Sequence, residues 1–473
     1  MPHLPLAAMS LTDVELTRFF VAIVGLMGLA HFMGSLFGRL HMPRVIGEIA
    51  GGLVLGPTVL GALAPGAYRW TFTAFPEEGK LLAMASEFGV VLLMFMSGME
   101  IKARFAREDR KVAFPLLAGA TLLPFLLGVA APRFFNFKPY MGPAGNISSL
   151  TIIIGIAVAI TSIPVISKIF LDLGIMHTRF ARICLTVATV EDIALWGLLA
   201  VAISLSKSAH PSMYTLIKTP VITIVFFFVA MVLLPRLLNG LRHTPARNLV
   251  ENRPVRFALL SCFAMVAISE LLGVKDIFGA LLAGMAICRL PNEVVDVVRT
   301  KVKAFALVFF TPVYFAIVGL KLDLLKSFDL WFFLGFFLFC TVVKTLATAV
   351  AGRLSTGDWL STANLAAALN ARGGPGIVLA SVAFDAKIID ERFFITLVLT
   401  AVVTSLFAGG WFRYVLGKGW PLLRVRGEAL PEDDDDATGS GAPGAADGAD
   451  GVPLAPVTPL ANRPSGPSKE PVR

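Results

Sequence analysis

The chain carries Thr161-Ser162-Ile163-Pro164 inside a long apolar segment, and this polar interruption decides how the rest of the sequence is interpreted. Proline removes a backbone hydrogen bond from a helix, so the segment 148–170 should break near its middle. A second apolar segment, 361–384, contains Asn370-Ala371-Arg372-Gly373-Gly374-Pro375-Gly376, where glycine and proline weaken the helix again. Two long apolar helices of this chain are therefore expected to be broken.

The composition of the chain predicts a membrane protein. Apolar residues make up 56% of the 473 residues, whereas soluble domains contain roughly 45–50%. The apolar runs are continuous over about 20 residues instead of alternating, which indicates spanning helices and not a β-barrel. We therefore predict an all-α polytopic membrane protein. Because Lys and Arg mark cytoplasmic loops, the net charge of +9 needs no nucleic-acid partner.

Charges, prolines and glycines divide the sequence into about 13 apolar segments. If the N-terminus lies outside, the inside loops hold about twice as many Lys and Arg as the outside segments, which favours an N-out, C-in orientation. We expect membrane lipid around these segments and a bacterial-type inner membrane as their location. The predicted segments are 16–38, 44–63, 81–100, 112–131, 148–170, 183–205, 216–238, 256–273, 276–290, 304–320, 329–352, 361–384 and 393–416.

Three regions are expected along the chain. Residues 1–15 would form a short extracytoplasmic N-terminus, and 16–418 would form the transmembrane domain. Residues 428–473 are acidic and rich in Pro, Gly and Ala, which predicts a disordered cytoplasmic tail. The sequence shows no phosphate-binding loop, nucleophile–base pair or cluster of metal ligands, so we predict neither an enzyme nor a bound cofactor.

The two interruptions lie in the fifth and twelfth segments. Because they are seven segments apart, the two broken helices should run in opposite directions through the membrane. That layout predicts two inverted repeats, segments 1–6 and 8–13, with crossed broken helices. Transporters with this layout place their substrate at the middle of the bilayer, between the paired breaks.

Charged residues inside the apolar segments are the second informative feature. Glu191 and Asp192 lie near the middle of the sixth segment, where an acid costs about 2.5–3.5 kcal/mol. Neighbouring helix positions point about 100° apart, so one acid can pair with Lys344 while the other faces a water-filled cavity. Arg372 lies in the second break, where it either joins this set or only neutralises helix ends.

This set of residues could bind a monovalent cation. One carboxylate, the hydroxyls of Thr161 and Ser162, and carbonyls freed at the breaks are suitable oxygen ligands. Burial favours the neutral form of a carboxylate, so protons and the cation would compete for it, which is sufficient for antiport. The alternatives are a structural ion-pair network, a cation-coupled symporter of an organic solute, and a membrane sensor without transport.

Four stretches give the chain its resemblance to a known family. It resembles the monovalent cation/proton antiporter family, specifically the second branch, which includes bacterial sodium or potassium/proton antiporters, glutathione-gated potassium efflux systems and plant cation/proton exchangers. The stretches are 43–57 (PRVIGEIAGGLVLGP), 89–100 (GVVLLMFMSGME), 161–174 (TSIPVISKIFLDLG) together with Glu191-Asp192, and 311–319 (TPVYFAIVG).

The resemblance implies an NhaA-like fold, a homodimer and a core domain that moves like an elevator. It also implies that Asp192 binds the transported Na⁺ or K⁺ and the proton. In electrogenic members an Asp precedes this acid and pairs with a lysine at the place of Lys344. Glu191 keeps that negative charge and favours electrogenic exchange. The residues expected to shape the two breaks are Pro164, Asn370, Gly373 and Gly374.

Overall fold

The computed structural model describes residues 11–40, 42–75, 77–100, 109–206, 213–240 and 247–424. Within these ranges the chain is helical, apart from turns and one isolated β-bridge between Met141 and Ile389. The prediction of an all-α polytopic fold is confirmed. Residues 1–10 of the predicted N-terminal region and the predicted tail at 428–473 lie outside the described residues.

The helices follow one another along the chain with short connections. They are α1 (Asp13–Arg39), α2 (Arg44–Leu55), α3 (Leu60–Leu63), α4 (Pro65–Phe72), α5 (Glu78–Glu100), α6 (Arg110–Leu117), α7 (Leu123–Ala130), α8 (Ile147–Ala159), α9 (Ile163–Asp172), α10 (Arg179–Ser206), α11 (Met213–Gly240), α12 (Arg247–Asn252), α13 (Pro254–Leu271), α14 (Asp276–Ile287), α15 (Asn292–Phe305), α16 (Thr311–Leu320), α17 (Leu330–Thr356), α18 (Trp359–Leu369), α19 (Gly373–Asp385) and α20 (Glu391–Gly417).

In the described part of the chain, 11 helical stretches are long and apolar enough to cross a membrane, and two shorter apolar helices accompany them. Each of the 13 predicted segments overlaps one of these. The number that actually cross the bilayer stays a prediction. One boundary differs clearly, because the helical stretch predicted at 304–320 begins at Asn292. Its first part, α15, carries charged residues as well as buried valines. A segment prediction based on hydropathy alone therefore leaves α15 out of the span.

The two interrupted spans occupy the middle of the bundle. In the most apolar part of the span Trp359–Asp385, 94% of the residues are buried, and the value for Ile147–Leu171 is 83%. In Leu330–Thr356, which exposes many large apolar side chains, it is 22%. The broken helices are therefore surrounded by protein, where freed backbone groups can find partners.

Two spans contain a wide π-helical turn just before a proline. Residues 118–122 separate α6 from α7, and 306–310 separate α15 from α16. In both spans a proline, Pro124 or Pro312, follows two residues after the turn ends. Since proline has no N–H, one carbonyl in each turn loses its usual donor, and the helix widens there. The first of these turns presents Thr121 to the site described next.

Candidate functional site

The two breaks meet in the middle of the protein. Helix α8 ends at Ala159, and the chain continues in extended form until α9 begins at Ile163. Within this break the backbone N–H of Ser162 donates to the carbonyl of Ala371 at 2.7 Å. The hydroxyl of Thr161 donates to the carbonyl of Leu369 at 2.6 Å. Each break thus satisfies polar groups of the other, and the two interrupted helices are joined at this point.

Arg372 neutralises the carboxyl-terminal end of α8. Its Nε donates to the carbonyl of Ala157 at 3.1 Å, and its Nη2 donates to the carbonyls of Val158 at 3.2 Å and Cys340 at 3.0 Å. The last carbonyls of a helix have no partners within it and carry partial negative charge. The fully enclosed guanidinium therefore acts on helix ends, which is one of the two roles expected for it. Its Nη1 also donates to Asn370 Oδ1 at 2.6 Å.

Glu191 and Lys344 form an ion pair in the protein interior. Lys344 Nζ lies 3.1 Å from Glu191 Oε1, and both side chains have zero exposure. The ammonium group also donates to the Thr161 hydroxyl at 2.5 Å and to the carbonyl of Ala159. Lys344 therefore links the acid on α10 to the first break. A buried charge pair persists only when its other hydrogen-bonding positions are satisfied as well.

Thr121 completes the surroundings of Glu191. Its hydroxyl donates to Glu191 Oε2 at 2.8 Å, so both carboxylate oxygens are bonded. Sequence reasoning missed this residue, because a threonine in an apolar helix usually bonds its own backbone. The available signal was its place between Pro115 and Pro124, which makes a regular helix there improbable.

Asp192 is buried in a different way from its neighbour. Its side chain is 1% exposed, and neither carboxylate oxygen has a hydrogen-bond partner among the described residues. A carboxylate offers acceptor positions only, so these two oxygens can take up a proton or coordinate a cation. An ionised group with neither would be strongly unfavourable at this depth. The two adjacent acids are thus chemically distinct, one satisfied by protein and one not.

The remaining predicted site residues lie at the crossing, which is the place where the breaks 160–162 and 370–372 meet. Ser162 is the N-cap of α9, where its Oγ accepts from the backbone N–H of Val165 at 3.3 Å. Pro164 occupies the second position of α9, where a missing N–H is harmless. Gly373 is the first residue of α19 and has φ = +39°, and Gly374 follows it in the helix. Pro164 and the two glycines therefore lie in the first turns of the second half-helices, whereas the breaks are 160–162 and 370–372.

An acid outside the spans fixes the base of α10. Asp109 accepts from Arg179 Nε at 2.9 Å and from Arg182 Nε at 2.6 Å. Burial alone would raise the pKa of Asp109, but hydrogen bonds and charge from the two arginines outweigh it and hold the pKa below its usual value. Because Asp109 directly precedes α6, this contact ties the span of Thr121 to the helix of Glu191.

Comparison with known proteins gives a consistent picture. A family model described as "Sodium/hydrogen exchanger, transmembrane" matches residues 27–418. The Na⁺/H⁺ antiporter NhaS4 of Synechocystis is 29% identical over 403 residues, which are 81% of this chain and 93% of that protein. The Na⁺/H⁺-K⁺ antiporter GerN of Bacillus cereus is 27% identical over 410 residues, 85% of this chain and 97% of that protein.

A eukaryotic relative and a solved structure extend the comparison. The K⁺/H⁺ antiporter 1 of Saccharomyces cerevisiae is 26% identical over 416 residues, 85% of this chain but 46% of that longer protein. The structure of the sodium proton antiporter MjNhaP1 from Methanocaldococcus jannaschii matches with a TM-score of 0.57 at 14% identity. The match covers 85% of this chain and 99% of the other chain, and it shows that the two share a fold.

Proposed function

The chain belongs to the sodium/hydrogen exchanger family and is a multi-pass monovalent cation/proton antiporter, and we propose that Asp192 is the carboxylate at which cation and protons compete. The observation that supports this role is the pair of buried Asp192 oxygens without protein partners. Every other charged side chain at the crossing is bonded: Glu191, Lys344 and Arg372 each have several partners. Asp192 is therefore the group whose charge is left for a transported ion.

Competition at one carboxylate is sufficient to couple the two fluxes. With a cation bound, Asp192 is ionised and its charge is compensated. When the cation leaves, the uncompensated charge is unfavourable in the interior, so a proton takes its place. The bound cation would find further oxygen ligands in carbonyls near the two breaks. The site can then move between the two sides of the membrane only in a neutralised form.

Glu191 and Lys344 decide how much charge moves in each cycle. If Lys344 releases Glu191 and loses its proton when the cation binds, two protons, one from Asp192 and one from Lys344, move against one cation and exchange is electrogenic. If the ion pair stays closed throughout, one proton replaces one cation and exchange is electroneutral. We favour the first scheme, because Glu191, which lies 3.1 Å from Lys344, directly precedes Asp192 on α10. A cation bound at Asp192 would repel the nearby ammonium group of Lys344 and so favour release of its proton.

The transported ion is Na⁺ or K⁺, and both occur among the activities of the relatives. We further propose that the protein works as a homodimer in a bacterial-type inner membrane, with the N-terminus outside and the C-terminus inside. The excess of Lys and Arg in the loops assigned to the inside supports that orientation. The Thr161 and Ser162 hydroxyls hold the first break in shape, since their described bonds go to protein groups.

The test is proton flux in vesicles that contain the purified protein. Flux is measured after addition of Li⁺, Na⁺, K⁺ or Rb⁺, with and without a clamped membrane potential. Wild type should exchange Na⁺ or K⁺ for protons, and Asp192→Asn should abolish exchange. Asp385→Asn is the matched control, because this acid is half exposed and pairs with Lys321 away from the crossing. Full cation-driven exchange by Asp192→Asn would overturn the assignment.

A further inference from the structure

The N-terminus of α19 lies at the crossing but has no cap of its own. Its N-cap residue is Arg372, whose side chain is directed to the end of α8 instead. Two N–H groups at this helix start find their acceptors on α20. The N–H of Gly373 donates to Ser405 Oγ at 3.0 Å, and that of Arg372 donates to Thr404 Oγ1 at 3.3 Å. Two hydroxyls of α20 thus satisfy two of the N–H groups that a helix start leaves unpaired, a task that an N-cap side chain performs at the second or third helical residue.

These hydroxyls are held in one orientation. Ser405 Oγ donates to the carbonyl of Ala401 at 2.7 Å, and Thr404 Oγ1 donates to that of Thr400 at 2.8 Å. Each hydroxyl therefore gives its proton to α20 and offers a lone pair to α19. Ser405 and Thr404 are 1% and 5% exposed, so water cannot substitute for them readily. Two hydrogen bonds therefore join the start of α19 to α20, each through a hydroxyl group that is itself bonded to the backbone of α20.

The start of α19 is in close contact with the start of α9. A side chain at Gly373 would overlap Val165, and its Cβ would lie 2.7 Å from Ser162 Oγ. The starts of α9 and α19 therefore touch, with no spare space between them. The same segment carries Arg372, which bonds the carbonyls at the end of α8. A displacement of the start of α19 would therefore act on both the start of α9 and the end of α8.

We propose that Ser405 and Thr404 are positioning residues of the exchange site, which cap α19 from the neighbouring helix and thereby set the affinity for the cation. This role rests on the antiport function proposed above. The two residues touch neither Asp192 nor the ion pair; they act through the second break. Removing either hydroxyl should weaken cation binding more than it lowers the maximum rate, because the carrier carboxylate itself is unchanged.

The transport test uses the full-length protein in vesicles. Ser405→Ala and Thr404→Val should each raise the apparent KM for the cation about 2- to 10-fold, the factor expected for one hydrogen bond. The maximum rate should change less than the KM. Ser405→Thr and Thr404→Ser keep a hydroxyl and should restore the wild-type KM. Ser206→Ala is the matched control, because this buried hydroxyl donates to Ile203 within its own helix; it should leave the KM unchanged.

A second readout does not depend on transport. Amide hydrogen exchange at the start of α19, near residue 373, should become faster in Ser405→Ala and not in Ser206→Ala. Unchanged amide exchange in Ser405→Ala and in Thr404→Val would overturn the cap. Faster amide exchange with an unchanged KM would overturn its role in cation affinity. If wild type itself fails to exchange cations for protons, the proposed antiport fails, while amide exchange still tests the cap.

Discussion

The two breaks of the crossing have the same layout but are stabilised in opposite ways. The first break, 160–162, receives positive charge from elsewhere: Lys344 from α17 and Arg372 from the second break both donate to carbonyls at the end of α8. The second break, 370–372, receives neutral hydroxyl groups: Thr161 donates to Leu369, and α20 supplies two further hydroxyls. Of these two helix ends, only that of α8 receives charge from other described segments of the chain, since at the second break Arg372 bonds the carbonyl of Asn370 within the break itself.

Because of this difference, one break of the site should depend on the ionisation of nearby side chains and the other should not. Hydroxyl contacts do not depend on protonation, so the second break is a constant part of the structure. The first break depends on Lys344, whose charge is shared with Glu191. A change in ionisation at α10 should therefore act first on the first break, which Lys344 bonds directly. We therefore expect substitutions of the charged groups that bond the first break to have larger effects than substitutions that remove a hydroxyl group.

The largest effect should come from Lys344→Met. It leaves the carboxylate of Glu191 buried without its cation, which costs about 3–5 kcal/mol when one member of a buried pair is removed. Thermal unfolding of the purified protein in detergent would show a large fall in Tm. The double variant Lys344→Met with Glu191→Gln should recover most of the loss, because no charge is then unpaired. Wild-type stability of the single variant at neutral pH would contradict the assigned role of the pair.

Arg372→Lys should have the next largest effect. The variant keeps the positive charge, but an ammonium group cannot reproduce the planar fork that bonds three carbonyls. We expect a loss of about 1.5–3 kcal/mol in the free energy of unfolding. Arg353→Lys is the control, since that arginine lies near the exposed end of α17 and bonds Gly357. Equal effects of the two substitutions would mean that the end of α8 needs only charge.

Ser162→Ala tests the cap of the first half-helix α9. Loss of an N-cap side chain costs about 0.5–2 kcal/mol. Asp358→Ala removes the N-cap of α18, which accepts from Ser361 N at 2.7 Å, and should lower Tm to a similar extent. The two should differ in transport, because only Ser162 lies at the crossing: its variant should raise the KM for the cation. An unchanged KM in Ser162→Ala would mean that the second break alone positions the site.

The smallest effect should come from protonation of Asp109, which ties the start of α6 to α10. The arginines lower the pKa of this carboxyl in the folded protein below its ordinary value of 3.8. Its contribution to stability is therefore complete above that value and is lost as the pH falls through the lower, folded pKa. Unfolding curves recorded from pH 7 to well below 3.8 would show this loss in wild type. Asp109→Asn should be less stable at pH 7 and should lose less on acidification.

Much of the fold could be predicted from the sequence. Each of the 13 predicted apolar segments overlaps a long or shorter apolar helical stretch, since a spanning segment is defined by its own hydropathy. The helices also break near the predicted places, because proline and glycine act on their own backbone. The exact break was less accessible: Pro164 and Gly373 were expected inside the breaks, and they begin the following helices instead. Proline is tolerated in a first helical turn, so it marks the end of a break.

Only the charged residues of the site could be predicted from the residue pattern of the apolar segments. Glu191, Asp192 and Lys344 stand out because charges are rare in apolar helices. Thr121, Thr404 and Ser405 do not stand out, since hydroxyls are common in such helices and usually bond their own backbone. Their contacts join residues 70 and 32 positions apart. Contacts over such distances depend on how the helices pack.

The sequence by itself therefore determined the helical membrane fold, the two interruptions and the four charges that must find partners inside it. These follow from hydropathy, backbone chemistry and the cost of a buried charge, which are local properties. Hydropathy and helix geometry left open which of the two adjacent acids pairs with Lys344, and the tertiary structure decided that Glu191 is satisfied by protein groups and Asp192 is not. That choice depends on the direction of two adjacent side chains, about 100° apart on one helix, relative to Lys344 and Thr121 on neighbouring helices.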